Sequence, residues 1–260
     1  MSQVDLTLTD GIAHITLSNP ARYNAMSFGM WTSLGDIVES LVGRDDVRVL
    51  VLRGAGEKAF VSGADISEFE TQRGSADAVE AYNAAVARAQ NALTDFPLPV
   101  IANIHGVCMG GGIGLALACD LRYCARTSRF RMPAARLGLG YGFDGIRHTV
   151  DAIGAARTAE LFYTASTFDG TEAERIGLVH RAHDADALDA EVHAVATAIA
   201  GNAPLTLRAA KLAIAHALRD PADRDAAAVD AAVDACFASA DYIEGRRAFM
   251  EKRPPAFTGK

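Results

Sequence analysis

The sequence lacks a long hydrophobic run, although half of its 260 residues are hydrophobic. No apolar stretch reaches the ~18 residues that a membrane-spanning helix requires. The amino-terminal segment, residues 1–11, is polar and does not show the charged and then apolar order of a secretion signal. These absences predict a cytoplasmic protein that makes no contact with a membrane.

Acidic residues outnumber basic ones, and only the tail from Lys252 to Lys260 is locally positive. The chain has 25 lysines and arginines against 32 aspartates and glutamates, which gives a formal net charge of −7. Nucleic-acid binding depends on neutralising phosphates with such basic side chains. The charge balance therefore argues against nucleic acid as a partner.

Cysteine is scarce, and no pair of cysteines has the CxxC spacing of a metal or redox motif. The chain has four cysteines, Cys108, Cys119, Cys124 and Cys236, and three of them lie in apolar stretches. Buried free thiols fit this pattern better than disulfides or a metal site. We therefore expect no metal.

The hydrophobic pattern predicts an α/β architecture. Residues 3–18 alternate apolar and polar around the turn at residues 9–11, which predicts a β-hairpin. A β-branched run at residues 47–52 predicts a buried strand, and a helical pattern at residues 78–93 precedes another strand at 99–104. From about residue 186 the pattern is helical only. We divide the chain into a core with the site, residues 1–200, and a helical region for oligomerisation, residues 201–260.

Two segments could carry chemistry. In residues 59–66, AFVSGADI, a strand runs into a turn of small residues, which lets a backbone N–H approach a ligand. In residues 104–120, IHGVCMGGGIGLALACD, three glycines precede a helix that is apolar on every side and is predicted to be fully buried. Backbone N–H groups at such a turn suit a developing negative charge. The segment is neither a dinucleotide fingerprint nor a P-loop. Taken alone, each segment also fits a plain structural junction, and His105 fits a role in satisfying the backbone.

Together, the two segments resemble the signature of the crotonase superfamily, the enoyl-CoA hydratase/isomerase group. The likeness extends over nearly the whole chain. It includes Leu17–Pro20, Asn24–Met26, Phe130–Gly138, the run FDGTEAERIGLV at Phe168–Val179, and Phe249–Arg253. The resemblance implies a crotonase-like spiral of repeated β-β-α units with a helical C-terminal element that builds a homotrimer or a dimer of trimers.

The resemblance also implies an acyl-CoA thioester as substrate and a set of site residues. The backbone N–H groups of Ala64 and Gly111 would form an oxyanion hole around the thioester carbonyl. Coenzyme A would arrive as part of the substrate, with no separate cofactor. Its expected contacts are Arg22, Ser62, Ala64, Asp65, Ile66 and, for a phosphate, Lys252.

Three positions depart from the hydratase pattern. A hydratase moves a proton and activates water with two carboxylates. The triple glycine places the first of them at Gly114, and the FRMP segment places the second at Ala134. A further acid position of the family falls at Gly142. The acids expected from the resemblance are therefore absent from all three positions.

The segment at residues 138–148, GLGYGFDGIRH, is similar to that of methylmalonyl-CoA decarboxylases. Loss of CO2 from a malonyl-type thioester yields an enolate and needs no base. Tyr141 could orient the carboxylate, and Asp144 could return a proton if its pKa were raised. Tyr141 also fits plain pocket lining, and Asp144 also fits a helix cap before Gly145.

Three functions therefore stay open. We favour a lyase of the decarboxylase type that acts through an oxyanion-stabilised enolate. The first alternative is a genuine enoyl-CoA hydratase or isomerase that uses another acid such as Asp144. The second is an acyl-CoA-binding subunit without catalysis. The complete glycine motifs around Ala64 and Gly111 favour an enzyme over mere binding.

Overall fold

The computed structural model describes residues 2–65 and 76–260. The chain begins with the predicted hairpin, in which β1 (Gln3–Thr9) pairs antiparallel with β2 (Ile12–Ser18). Asp10 and Gly11 form the turn, and both have positive φ, 51° and 79°. A two-residue loop with φ above zero at both positions matches the twist of the flanking strands. The hairpin prediction is confirmed.

The described strands form two sheets. The first sheet has six strands in the order β1-β2-β3-β5-β7-β10, and the second has four in the order β4-β6-β8-β9. The hairpin is joined in the first sheet by β3 (Val49–Gly54), β5 (Val100–Ile104), β7 (Leu121–Ala125) and β10 (Arg181–His183). The second sheet consists of β4 (Ala59–Val61), β6 (Val107–Met109), β8 (Arg129–Arg131) and β9 (Phe168–Asp169).

Helices follow the strand pairs or pack on the sheets. They are α1 (Phe28–Ser40), α2 (Ala76–Thr94), α3 (Gly111–Leu117), α4 (Ala134–Leu137), α5 (Phe143–Thr164), α6 (Gly170–Arg175) and α7 (Leu188–Ala200). The C-terminal part adds α8 (Pro204–Ala217), α9 (Ala226–Phe237) and α10 (Ala240–Glu251). Short 3₁₀ turns lie at Pro20–Arg22 and Pro221–Asp223.

The order of these elements repeats. The chain gives one strand to the first sheet, the next strand to the second sheet, and then a helix, as in β5-β6-α3 and β7-β8-α4. Neighbouring strands from successive repeats pair in parallel, for example β3 with β5 and β4 with β6. The repeat therefore brings the ends of β4 and β6 side by side, and both motif segments lie there.

For the second sheet, the sequence predicts β4, which opens the AFVSGADI segment, and β8, near residues 128–130, but not β6 or β9. The strands of this sheet have only two or three residues, which is too short for an alternating pattern to appear. Residues 107–109, between the predicted strand at 99–104 and the three glycines, are not predicted as a strand, whereas they form β6. The sequence also predicts a helix near residues 145–163. This helix is α5, and it is interrupted at Gly154, where φ is 76° and ψ is 163°.

The prediction that α3 is buried on every side is wrong. Gly112, Ile113, Leu115 and Ala116 are buried, but Gly111, Gly114 and Leu117 are only half-buried. These three positions are spaced by three residues and therefore share one face of the helix. That open face lies next to the motif segments.

Helices on both sides close the core. Between α1 and α2, the Trp31 Nε1–H donates a hydrogen bond to the Tyr82 hydroxyl over 3.0 Å, and both residues are buried. On the other side of the first sheet, α7 packs Leu188 and Val192 against β3 and β5. The buried pairing between α1 and α2 fixes the side chains of α2 relative to the core.

The C-terminal region consists of α8–α10, and large apolar side chains on these helices are exposed. They are Ile214, Leu218, Phe237, Ile243, Phe249 and Met250. Its role in oligomerisation, and the boundary at residue 200, stay predictions. Of the described helices, none is both long enough and apolar enough to cross a membrane.

The prediction of free, buried thiols is confirmed for three cysteines. Cys108, Cys119 and Cys124 are buried and free, and Cys236 is free and half-buried. Burial raises the pKa of Cys119 and of Cys124 to about 12. Because the thiolate is the reactive form, these cysteines are poor nucleophiles at neutral pH.

Candidate functional site

The two motif segments meet at Ala64 and Gly111. A Cβ atom on Gly111 would lie 3.9 Å from the backbone nitrogen of Ala64, and one on Gly63 would lie 4.0 Å from the backbone nitrogen of Gly111. Ala64 forms a parallel bridge with Met26. The bridge uses the carbonyl of Gly63, which accepts from the Met26 N–H over 2.8 Å, and the N–H of Asp65, which donates to the Met26 carbonyl over 2.9 Å. The Ala64 N–H therefore points away from Met26.

Glycine is required in this turn by close backbone approach. Gly110 has a φ of 51°, a conformation that side chains disfavour. A Cβ atom on Gly112 would lie 2.2 Å from the carbonyl oxygen of Val61 in β4. Gly111, between them, has room for a Cβ atom, because the nearest atom is Trp31 Cζ2 at 3.5 Å. Gly110 thus permits the turn, Gly112 lets β4 lie against α3, and Gly111 leaves space open beside Ala64.

Both backbone N–H groups are available to a ligand. The Gly111 N–H belongs to the first residue of α3 and has no acceptor within the helix. In residues 2–65 and 76–260, neither this group nor the Ala64 N–H donates to another protein atom. Two such donors side by side can both hydrogen-bond one oxygen, and they stabilise it most when it carries negative charge.

Three of the predicted coenzyme A contacts lie together beside Ala64. Arg22 Nη1 lies 2.6 Å from Asp65 Oδ1, and the Asp65 side chain is 9% exposed. The Ser62 hydroxyl donates to the Arg22 carbonyl over 3.0 Å. The buried Asn24 side chain holds this loop, because its Nδ2 donates to the Ala59 carbonyl over 2.7 Å. The structure therefore brings Arg22, Ser62 and Asp65 to the edge of the donor pair.

The other two predicted contacts are Ile66 and Lys252. Ile66 lies outside the described residues. Lys252 directly follows the last residue of α10, near the end of the chain, and has a φ of 53°. None of the hydrogen bonds or ion pairs of the described residues links Lys252 to Arg22 or Asp65. A phosphate contact by Lys252 stays a prediction.

Tyr141 faces the glycine turn. Its hydroxyl oxygen lies 3.9 Å from the position of a Cβ atom on Gly110, and its ring packs edge-on against Phe162 with the centroids 5.2 Å apart. Tyr141 is 37% exposed. The structure thus places one side chain of the decarboxylase-like segment beside the donor pair, with its ring supported by α5.

Asp144 lies on the solvent side of the same segment. It is exposed and stands in the first turn of α5. The alternative that it caps this helix is wrong, because the N-cap is Gly142, whose carbonyl accepts from the Ile146 N–H over 3.2 Å. A role of Asp144 in proton transfer stays a prediction.

The expected carboxylate positions are filled differently. Ala134 is buried and begins α4, where its methyl group packs in the core. At Gly114, a Cβ atom would lie 2.6 Å from Nε2 of Gln90. The carboxamide of Gln90, on α2, thus lies over Gly114. The sequence gives no sign of this role of Gln90, because nothing in it links α2 to Gly114 on α3.

The prediction that His105 satisfies backbone groups is also wrong, because its ring contacts another side chain. Its Nε2 lies 2.9 Å from Asp189 Oδ1 on α7, and Asn103 Nδ2 donates to the same oxygen over 2.7 Å. Burial raises the pKa of Asp189, but the hydrogen bonds from Asn103 and His105, together with the nearby charge of Arg53, outweigh burial and hold this pKa below its usual range. These contacts attach α7 to the first sheet. Among the described residues, no His, Cys, Asp and Glu side chains cluster in the manner of a metal site.

Comparisons with known proteins agree on one family. A family model described as enoyl-CoA hydratase/isomerase matches residues 7–260. The chain is 32% identical over 249 residues to the crotonyl-CoA hydratase of Syntrophomonas wolfei. The aligned region covers 96% of this chain and 95% of that protein.

Solved structures give the same result. The crystal structure of an enoyl-CoA hydratase/carnithine racemase from Magnetospirillum magneticum superposes with a TM-score of 0.93 at 37% identity and covers 100% of this chain and 97% of that one. An enoyl-CoA hydratase from Bacillus anthracis gives 0.92 at 30% identity and covers 99% of both chains. The α/β spiral expected from the sequence is confirmed.

Proposed function

Because the chain belongs to the enoyl-CoA hydratase/isomerase family, we propose that it binds an acyl-CoA thioester with the carbonyl oxygen between the Ala64 and Gly111 N–H groups. The observation that carries this proposal is the adjacency of these two donors, neither of which has an acceptor in the described protein. When the thioester becomes an enolate, its oxygen gains negative charge, and each donor then binds it more tightly. Loss of one such donor typically costs about 3–4 kcal/mol in the barrier.

The remaining parts of the substrate fit the residues around this pair. Arg22, Ser62 and Asp65 line the edge where coenzyme A would leave the pocket, and Arg22 supplies a cationic group for its phosphates. Since coenzyme A is part of the thioester, the proposed reaction uses no separate cofactor. The exposed apolar side chains of α8–α10 support a homotrimer or a dimer of trimers.

Hydration of an enoyl-CoA, or isomerisation of its double bond, is the first candidate reaction. The names of the relatives point to hydration. In hydration, the oxygen of water bonds to Cβ as one O–H bond of the water breaks, the double-bond pair shifts toward the thioester, and the proton that water releases is balanced by a proton added at Cα. With no carboxylate at residues 114 and 134, the proton transfers would pass through Asp144 or through Tyr141.

Decarboxylation is the second candidate, and two observations favour it. Ala134 and Gly114 leave no carboxylate to repel a substrate carboxylate, and the Tyr141 hydroxyl lies close to the donor pair. The bond between Cα and the carboxylate carbon breaks, its electron pair forms the enolate, CO2 leaves, and a proton is added at Cα. No base is needed. The names of the relatives do not point to decarboxylation, so we rank it after hydration.

Mass spectrometry of the purified protein incubated separately with crotonyl-CoA and with methylmalonyl-CoA separates the candidates. Gain of one water by crotonyl-CoA supports hydration, and loss of CO2 from methylmalonyl-CoA supports decarboxylation. A Gly111→Pro variant purified in the same way controls for contaminating enzymes, since it lacks one donor. If neither thioester changes but both bind, the chain is an acyl-CoA-binding subunit, and if neither binds, the proposed function is wrong.

A further inference from the structure

The Gln90 carboxamide occupies space that a side chain at residue 114 would otherwise fill. Its Nε2 lies 2.6 Å from the position of a Cβ atom on Gly114, and its Cδ lies 3.7 Å from the same point. Contacts under 3.0 Å between a Cβ atom and another heavy atom are essentially not seen in proteins. The amide can therefore lie here only because residue 114 is glycine.

This position belongs to the open face of α3. Gly111, Gly114 and Leu117 are its half-buried residues, and positions three apart on a helix lie roughly 5–6 Å from one another at their Cβ atoms. Gly111 supplies one donor of the oxyanion pair. The Gln90 amide is therefore one helical turn away from the proposed carbonyl site, on the same side of the helix.

The backbone of Gln90 is anchored by buried neighbours in α2, but among the described residues its side-chain amide has no hydrogen-bond partner. Gln90 is half-buried, and its neighbour Ala89 and the following Leu93 are fully buried in the core. In the part of the chain that the structure describes, no residue forms a hydrogen bond with the Gln90 side chain. A half-buried amide with two donor hydrogens and one acceptor oxygen gains free energy when a ligand supplies a partner.

We propose that Gln90 is a specificity-determining residue that hydrogen-bonds a hydroxyl or carboxylate group on Cβ of the acyl chain. This inference rests on the proposed function, since it takes the thioester carbonyl to lie at Ala64 and Gly111. With the carbonyl there, the acyl chain runs along the open face of α3, and its Cβ substituent comes within reach of the amide. A carboxamide neither gains nor loses a proton near neutral pH, so Gln90 selects and orients the substrate and does not transfer a proton.

The test compares dissociation constants for three thioesters by isothermal titration calorimetry. Butyryl-CoA has no oxygen on Cβ, 3-hydroxybutyryl-CoA has a hydroxyl there, and succinyl-CoA has a carboxylate. Mass spectrometry after each titration confirms which thioester is present. In Gln90→Met, which keeps the length of the side chain but removes the amide, the preference for 3-hydroxybutyryl-CoA over butyryl-CoA falls by about two- to tenfold. If the carboxylate is the natural group, the preference for succinyl-CoA falls further.

Two more variants sharpen the result. Asn91→Met makes the same chemical change on the exposed side of α2 and should leave every preference as in the unsubstituted protein. Gly114→Ala keeps Gln90 but places a methyl group where its amide lies, so it should reduce the preference as Gln90→Met does. Because alanine has a higher helix propensity than glycine, Gly114→Ala should not unfold α3.

The outcomes are distinct. If the unsubstituted protein binds none of the three thioesters, the proposed function and this inference both fail. If it binds them, but neither Gln90→Met nor Gly114→Ala changes the ratio of the dissociation constants, only the role of Gln90 is wrong. A loss of preference in both variants, with none in Asn91→Met, supports it.

Discussion

The Tyr141 hydroxyl oxygen lies 3.9 Å from the position of a Cβ atom on Gly110, the residue that precedes the donor Gly111. The two residues come from different repeats of the spiral, and Phe162 supports the tyrosine ring from α5. A phenol is therefore directed at the glycine turn.

The first prediction contrasts Gly111→Ala with Gly112→Ala. A methyl group on Gly111 makes ordinary contacts, the nearest at 3.5 Å, but it lies 3.9 Å from the Ala64 nitrogen, beside the oxygen that both donors would bind. We expect Gly111→Ala to fold normally and to lose turnover by about a hundredfold or more. Gly112→Ala instead places its methyl group 2.2 Å from a backbone oxygen. It should lower the free energy of unfolding by about 1–3 kcal/mol.

Urea denaturation and steady-state rates on the thioester found to react check both parts. Full activity in a folded Gly111→Ala variant would contradict the assignment of the oxyanion site. Unchanged stability of Gly112→Ala would instead show that β4 and α3 can move apart without cost.

The second prediction concerns the Tyr141 hydroxyl. Tyr141→Phe keeps the ring packed against Phe162 but removes the group that faces the turn. We expect kcat to fall about tenfold or more, in the range of general acid–base and positioning effects, with little change in the free energy of unfolding. Tyr141→Ala removes both functions and should also lower stability. Equal kcat in the phenylalanine variant and the unsubstituted protein would leave Tyr141 as pocket lining only.

The third prediction concerns the arginine beside Asp65. Arg22→Met keeps the side-chain stem but removes the charge that we expect to meet coenzyme A phosphate. We expect KM to rise several-fold while kcat stays nearly constant, because a contact remote from the reacting atoms binds substrate and transition state equally. Arg44→Met is the matched control, since Arg44 forms an exposed ion pair with Asp46 over 2.6 Å within its own loop. A lower kcat with unchanged KM in Arg22→Met would contradict the binding role.

The fourth prediction is a pH dependence of the C-terminal region. Glu244 on α10 accepts from Arg253 over 2.6 Å and from the Ala256 N–H over 3.0 Å, and its side chain is 11% exposed. The Arg253 guanidinium, the Ala256 N–H and Arg247 hold the pKa of Glu244 well below its usual value of 4.5. A lowered pKa in the folded state stabilises the protein above pH 4.5, and this contribution is lost as the pH falls toward the folded-state pKa.

Thermal unfolding of Glu244→Gln between pH 3 and 7 measures this effect. The variant should unfold at a lower temperature at pH 7, and its midpoint should fall less steeply in acid than that of the unsubstituted protein. Parallel curves for the two proteins would show that Glu244 contributes nothing to the acid dependence.

Local patterns predicted the elements with strong periodicity. The hairpin at β1 and β2, the helices α1 and α2 and the buried strand β3 all follow from the spacing of apolar residues and from turn glycines. Strands of two or three residues carry no period, so β6 and β9 of the second sheet were missed. The side chains that meet across the fold were missed for a related reason, as His105 with Asp189 shows, since those residues lie far apart in the sequence.

The amino-acid sequence alone indicated the family, drew attention to the two motif segments that contain Ala64 and Gly111, and showed no carboxylate at residues 114 and 134. These depend on residue types in fixed local motifs, and a motif is complete within a short segment. Only the tertiary structure decided which side chain lies over Gly114. The amide of Gln90 reaches that point because α1 and α2 pack through buried residues, and packing depends on the whole fold rather than on any short segment.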